Sequence, residues 1–191
     1  QQKRTVREIL DLHLGWDITD FGAGDFSKTG LLLFTLRNGK VRSRFYLKPY
    51  AEKIMIVGEG QVTPMHFHWK KMEDIINRGG GNLMIELYRA TAHEGLSTQP
   101  VTVSIDGSKK VLSAGSTLRL TPGQSITLPQ RLYHRFYGEP ANGNVIVGEV
   151  SMVNDDNKDN RFFEQIGRFP AINEDTLPTY LLCTDYSTFI R

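Results

Sequence analysis

The stretch Gly60–Gly80, GQVTPMHFHWKKMEDIINRGG, places two histidines, His66 and His68, two residues apart. Along an extended strand, residues i and i+2 point to the same face. The two imidazoles therefore leave the chain side by side and form half of a metal site. Glu73 follows five residues after His68 and offers an oxygen donor to close it. Lys70–Arg78 is expected as one or two helical turns carrying Glu73 back toward the histidines. The other half of the site is expected from a later strand.

Those residues also match a known spacing. Gly60, His66, His68, Glu73 and Gly80 resemble the first signature motif of the cupin superfamily at every defined position. GQSITLPQRLYHRF, with Gly123, Pro129 and His134, is similar to the second cupin motif. Two positions depart from it: Arg131 stands where glycine is usual and Gly138 where asparagine is common, which bears on the turn and leaves the ligand in place. The resemblance implies a metal set of His66, His68, Glu73 and His134. Three neutral imidazoles and a carboxylate suit a divalent first-row ion with positions left for water or substrate.

At 191 residues the chain is expected to be one domain able to bury a core. A hydrophobic fraction of 39% and a charged fraction of 23% are those of a globular protein. The net charge of +2, with Lys and Arg scattered, argues against a nucleic-acid or membrane-surface partner. No run approaches the ~20 apolar residues of a membrane span. QQKRTVREIL has no apolar core of a signal peptide. The lone Cys183, in TYLLCTDY, excludes an intrachain disulfide and reads as a small core residue. Together these predict a cytoplasmic protein.

Taken in order, Thr5-Val-Arg-Glu8 reads as a capping box. Val6, Ile9, Leu10, His13 and Leu14 then share a helical face that stops near Gly15. Trp16–Gly30 reads as loop. Leu31–Leu36 and Val41–Leu47 read as a hairpin around Asn38-Gly39, with strand resuming at Lys53–Val57. After the histidine strand Met65–Trp69 come Leu83–Ala90, Val101–Ile105, Lys110–Leu112, Thr117–Leu120, Ser125–Leu128, His134–Tyr137 and Val145–Val150. About ten short strands with turn residues between them predict an all-β, antiparallel barrel of jelly-roll type. The expected division is an N-terminal helix and loop over 1–30, the barrel over 31–153, and an active-site loop with an irregular C-terminal extension over 154–191. That loop, NDDNKDNRFFEQIGRFP, is dense in polar groups and suits a lid over a polar ligand.

HFHWKKMEDI, NDDNKDNRF, GRFPAINED and YLLCTDY narrow the resemblance to the D-lyxose isomerase family of cupins, over roughly Tyr50 to Tyr186. That resemblance implies aldose–ketose exchange on free sugars, D-lyxose with D-xylulose and D-mannose with D-fructose. It also implies one divalent metal per chain, manganese foremost with zinc, cobalt, iron or nickel as alternatives, and a homodimer.

Such an exchange needs a polarised carbonyl and a proton carried between two carbons, and one metal suits a cis-enediol route. The base should be a carboxylate beside the metal. Glu149, in the apolar run VIVGEVSMV, is the first candidate, against an outward-facing glutamate; Glu164 is the reserve. Lys53, just before IMIV, is a candidate to shuttle a proton or balance charge, and the family pattern favours a lysine there. Asp156 and Arg161 are candidates for hydroxyl recognition, and Phe162 for a sugar-facing aromatic. Alternation turns Phe67, Trp69 and Tyr133 away from the ligands. The same ligand set serves dioxygenase- or germin-type oxidoreductases, and a sugar-binding cupin without catalysis is a further alternative. A phosphosugar isomerase would need a phosphate-binding cluster, and none stands out.

Overall fold

A computed structural model describes residues 6–171 and 176–190. Its strands are β1 (Gly15–Thr19), β2 (Leu31–Arg37), β3 (Tyr50–Val57), β4 (Thr63–Phe67), β5 (Glu73–Gly80), β6 (Leu83–Arg89), β7 (Val101–Ile105), β8 (Ser108–Leu112), β9 (Thr117–Leu120), β10 (Ser125–Leu128), β11 (Leu132–Gly138), β12 (Val145–Met152) and β13 (Arg161–Phe162). Two short helices, α1 (Arg7–Asp11) and α2 (Tyr186–Phe189), stand near the ends. An 8-stranded sheet in the order β1-β2-β3-β12-β5-β10-β7-β8 faces a 5-stranded sheet in the order β13-β4-β11-β6-β9. All the pairings within these sheets are antiparallel. This is an all-β, antiparallel jelly roll, as the strand spacing predicted, and the cupin architecture that the motif resemblance implied.

Alternation explains which residues fill the space between the sheets. Met55, Val57, Ile75, Ile85, Leu87, Ile126, Leu128, Val145 and Val147 are buried in one cluster, each from the inward face of its strand. Asn77 joins them at 0% exposure because its polar atoms are all used. Its Nδ2 donates to the carbonyls of Gly81 and Leu120, and its Oδ1 accepts from Gly79 N–H. Phe67 and Tyr133 form a separate cluster with Met65, flanked by Trp69, on the far side of the smaller sheet. That is the outward placement alternation predicted for them.

Four local readings are corrected. Trp16–Gly30 is not all loop, because Gly15–Thr19 pairs along its length with β2. Its inward residues are Gly15, Asp17 and Thr19, so no apolar alternation betrays the strand. The segment Val41–Leu47 is not the return strand of a hairpin. Its Phe45 and Leu47 are largely exposed, and β3 takes the place beside β2. Lys70–Arg78 is not helical: β5 begins at Glu73 and is held by β12 on one side and β10 on the other. The N-terminal helix ends at Asp11, short of Gly15, and His13 has a positive φ of 50°. Thr5 of the expected capping box lies outside the described residues.

The departures from the second cupin motif are absorbed locally. Arg131 adopts φ 58°, the conformation glycine would supply, while its N–H donates to the His68 carbonyl and its guanidinium lies over Phe67. Gly138 is needed for contact, since a Cβ there would meet the Gly58 carbonyl oxygen at 2.6 Å. The tail runs along β1, where Cys183 N–H donates to the Trp16 carbonyl and Tyr186 Oη to that of Leu14. Burial, with Asp17 nearby, pushes the Cys183 thiol up to about 12. It is a packed residue, as its apolar setting predicted.

Candidate metal centre and active site

Between the sheets lies a small cavity of about 40 Å³. His66 on β4 and His134 on β11 are direct cross-strand partners, and their rings stand 4.2 Å apart. His68 follows two residues on, past the end of β4. The ligating nitrogens of His66, His68 and His134 all lie within 4.8 Å of one another. Glu73, the first residue of β5, turns its Oε1 to 3.3 Å from His68 Nε2 and 3.1 Å from His134 Nε2.

The outer nitrogens are committed. His66 Nδ1 faces the Pro64 carbonyl at 2.7 Å, His134 Nδ1 that of Leu132 at 3.0 Å, and His68 Nδ1 that of Asp159 at 3.0 Å. A carbonyl only accepts, so each Nδ1 carries the proton and each Nε2 presents a lone pair inward. Burial first, and the neighbouring His134 and His68 next, push His66 well below the usual imidazole range. Burial and the Lys71 charge lower His68 as well. Neutral imidazoles aimed at one point are what a cation requires. Two buried atoms here, His68 Nε2 and Glu73 Oε1, have no hydrogen-bond partner among the described residues. Since such orphans are costly, the donor set fits a divalent ion held by three imidazoles and a carboxylate.

Beside this cluster stands a chain of alternating charge. Lys53 on β3 is the cross-strand partner of Glu149 on β12, and their charged atoms are 3.5 Å apart. Lys71 Nζ bridges Glu73 Oε2 at 2.7 Å and Glu149 Oε1 at 3.0 Å. Ser151 Oγ donates to the same Glu149 oxygen at 2.8 Å. Lys53 also reaches Asp156 Oδ2 at 3.3 Å. Burial alone would raise the Glu149 carboxyl; Lys53 and Lys71 outweigh it and hold Glu149 below the ordinary value, hence ionised. The same contest, with burial opposed by Lys53, Lys71 and Arg168, leaves Asp156 below its ordinary value. Burial opposes the Lys71 charge, but Glu149 and Glu73 together hold its ammonium above the usual range.

The post-barrel loop is tied to the metal motif by Asp159. Its carboxylate accepts from the backbone N–H groups of Lys70 and Lys71 at 2.9 and 3.0 Å, while its carbonyl orients His68. Sequence alone singled out neither Asp159 nor Lys71. A signal for Lys71 existed, since a residue two before Glu73 shares its side of an extended chain.

Of the residues read from sequence, Lys53, His66, His68, Glu73, His134, Glu149, Asp156 and Phe162 all line the cavity. Phe162 pairs with His66, and their rings stand 5.4 Å apart. Arg161 does not line it. It points the other way along β13, where its Nε meets Glu94 Oε2 at 2.9 Å, and Glu94 Oε1 accepts from Trp69 Nε1 at 2.8 Å. Alternation on β13 forces this, since Phe162 takes the inward face. Glu164 is exposed and stands outside the lining residues.

A family model described as D-lyxose isomerase matches residues 1–186. A D-lyxose/D-mannose isomerase of Serratia proteamaculans is 56% identical over 184 residues, covering 96% of this chain and 81% of the relative. A protein of the same description from Escherichia coli O157:H7 is 54% identical over 182 residues, covering 95% and 80%. Among solved structures, the L-ribose isomerase of Acinetobacter sp. DL28 in complex with L-ribose superposes with a TM-score of 0.58 at 17% identity, covering 86% of this chain and 87% of that one. That last likeness is one of fold. With identity above one half along nearly the whole chain, and the family model running through both histidine motifs and the polar loop, the chain belongs to the D-lyxose isomerase family.

Proposed function

We propose that this protein interconverts D-lyxose with D-xylulose and D-mannose with D-fructose, as free sugars, through a cis-enediol. The observation that carries the reading is the ionised Glu149 in the same cavity as the inward-facing imidazoles, clamped between two lysines. His66, His68, Glu73 and His134 would hold a divalent cation, manganese by preference, which would supply Lewis acidity to the reacting carbonyl. The chain's own groups do the rest. Glu149 takes the proton from C2 of the aldose, so that the C2–H pair becomes the C1–C2 double bond of the enediol. The same carboxyl then returns the proton to C1 on the same face. Lys53 moves the remaining proton between O2 and O1, leaving the carbonyl at C2. Lys71 and Ser151 hold the Glu149 oxygen they share. Phe21, Leu31, Leu33 and Phe136 line the cavity with apolar surface that excludes water from the enediol.

The outer face of β1-β2-β3-β12 supports a homodimer. Ile18, Leu32, Ile56 and Ile146 form one row across these four strands, and Trp16, Phe34 and Ile54 the next. All are exposed or half-buried apolar side chains, an aligned patch of the kind that marks an interface. No helix among the described residues is long and apolar enough to cross a membrane. The single cysteine supports a reducing, cytoplasmic setting.

The test is direct. Metal-loaded protein incubated with D-lyxose or D-mannose should yield ketose without oxygen uptake, and in D₂O should place deuterium on product C1 in the fraction of turnovers in which the proton held by Glu149 exchanges with solvent before its return. Glu149→Gln should retain metal and sugar while kcat falls roughly 100-fold. Turnover of phosphorylated sugars alone, or oxygen consumption, rejects the reading. Near-parental turnover in Glu149→Gln removes Glu149 as the base.

A further inference from the structure

Asp159 is a buried acid, 5% exposed, that takes no part in the proton transfers. A turn closes behind it, in which the N–H groups of Lys158 and Asp159 both donate to the Asp155 carbonyl, at 2.8 and 2.9 Å. Asn157 and Lys158 are exposed, so of the last three residues of that turn Asp159 alone faces the barrel. There it meets residues 68–72, which join β4 to β5 outside either strand. The N–H groups of Lys70 and Lys71 have no strand ladder to join, and Asp159 takes both, one on each carboxylate oxygen.

Both ends of this contact reach the active site. On one side, the 68–72 segment carries His68 and the lysine that bridges Glu73 and Glu149, and the Asp159 carbonyl accepts from His68 Nδ1–H at 3.0 Å. On the other, the turn carries Asp156, whose Oδ2 meets Lys53 Nζ at 3.3 Å, and it is followed by Asn160, whose Nδ2 donates to the Asp156 carbonyl. Asp156 and Asn160 line the cavity beside His68 and Lys71. One side chain thus joins two walls of the cavity that stand 88 residues apart in the chain. A cation on His68 Nε2 draws electron density from the ring and makes Nδ1–H a stronger donor, so the Asp159 carbonyl is held more tightly. Such a coupling acts equally in both directions.

We propose that Asp159 is a positioning residue that couples the post-barrel loop to the metal centre: cation binding docks the loop, and the docked loop tightens the cation. The proposal rests on the four-ligand metal set above and not on the identity of the sugar. Its test needs no turnover. Manganese affinity is measured by electron paramagnetic resonance of the free ion in the parent, Asp159→Ala and Asp159→Asn. Amide hydrogen exchange is followed by mass spectrometry with and without manganese.

Asp159→Ala should lose about 10- to 100-fold in manganese affinity. Asp159→Asn keeps one acceptor oxygen and should fall between it and the parent. Exchange in Asp159→Ala should rise in 68–72 and 154–160, while β6 and β7 keep their parental rates. In the parent, manganese should slow exchange in both segments; in Asp159→Ala it should slow 68–72 and leave 154–160 unchanged. Parental affinity in Asp159→Ala overturns the proposal. So does an exchange increase spread evenly through the strands, which is what a merely structural role would give. Should Asp159→Ala fail to fold, the parent decides, and exchange in 154–160 that ignores manganese overturns the coupling. A parent that binds no manganese strikes the metal centre and the coupling with it. The expected results without any ketose formation would strike the isomerase reading alone.

Discussion

Replacing Lys71 by Met tests the charge chain at its centre. Lys71 is 3% exposed and supplies one ammonium to two buried carboxylates, 2.7 Å from Glu73 and 3.0 Å from Glu149. Methionine matches much of its volume, so packing changes little and the lost charge dominates. Removing one partner of a buried ion pair costs about 3–5 kcal/mol, because the remaining charge stays buried and uncompensated. Glu149 keeps Lys53 at 3.5 Å, while Glu73 in the metal-free protein keeps only histidines that are hard to protonate. For a chain of this size each kcal/mol moves the melting temperature by about 2–4 °C, so the metal-free variant should melt about 6–20 °C lower. A divalent cation restores a positive neighbour to Glu73, so the deficit should shrink when metal is added. Thermal unfolding followed by circular dichroism, in chelator and then with excess manganese, reads both effects. A metal-free variant melting within about 2 °C of the parent would refute the view that Lys71 is the counter-ion these carboxylates need.

Three further expectations follow from the same geometry. His66→Ala should lose most of its bound metal by elemental analysis, because the ring at the centre of the triad goes; full occupancy would remove the proposed ligand set. The carboxyls of Glu149 and Asp156 are held below their unfolded values, so their contribution is complete above those values and lost as pH falls through the folded ones. Unfolding free energy of the metal-free protein should therefore drop below about pH 4, and denaturant titrations showing a rise there would contradict the sign. Ile54→Asp on the apolar outer row should convert the proposed dimer to monomer in sedimentation velocity; a parent that sediments as a monomer would remove the interface.

Much of this protein was legible because its spacing is local. His66 and His68 share a face by strand geometry alone, and the alternating runs of β6, β7, β10 and β12 declare their buried sides. The metal motifs and the polar loop carried the family. What remained hidden depends on partners distant in sequence. β1 escaped because its inward residues are Gly15, Asp17 and Thr19, with no apolar side chain among them; Asp17 is buried against Arg168, and the Thr19 hydroxyl accepts from Phe21 N–H. Val41–Leu47 alternates like a strand, yet β3 occupies the edge of β2 that the hairpin would have used. Arg161 and Phe162 are adjacent and equally plausible from sequence; the register of β13 against β4 turned one toward His66 and the other toward Glu94. Composition marks neither Lys71 nor Arg168 among 23 basic residues. A lysine or arginine is ordinary on a surface and exceptional in a core. Only the tertiary packing, by bringing Glu73, Glu149 and Asp17 to meet them, decides which kind each one is.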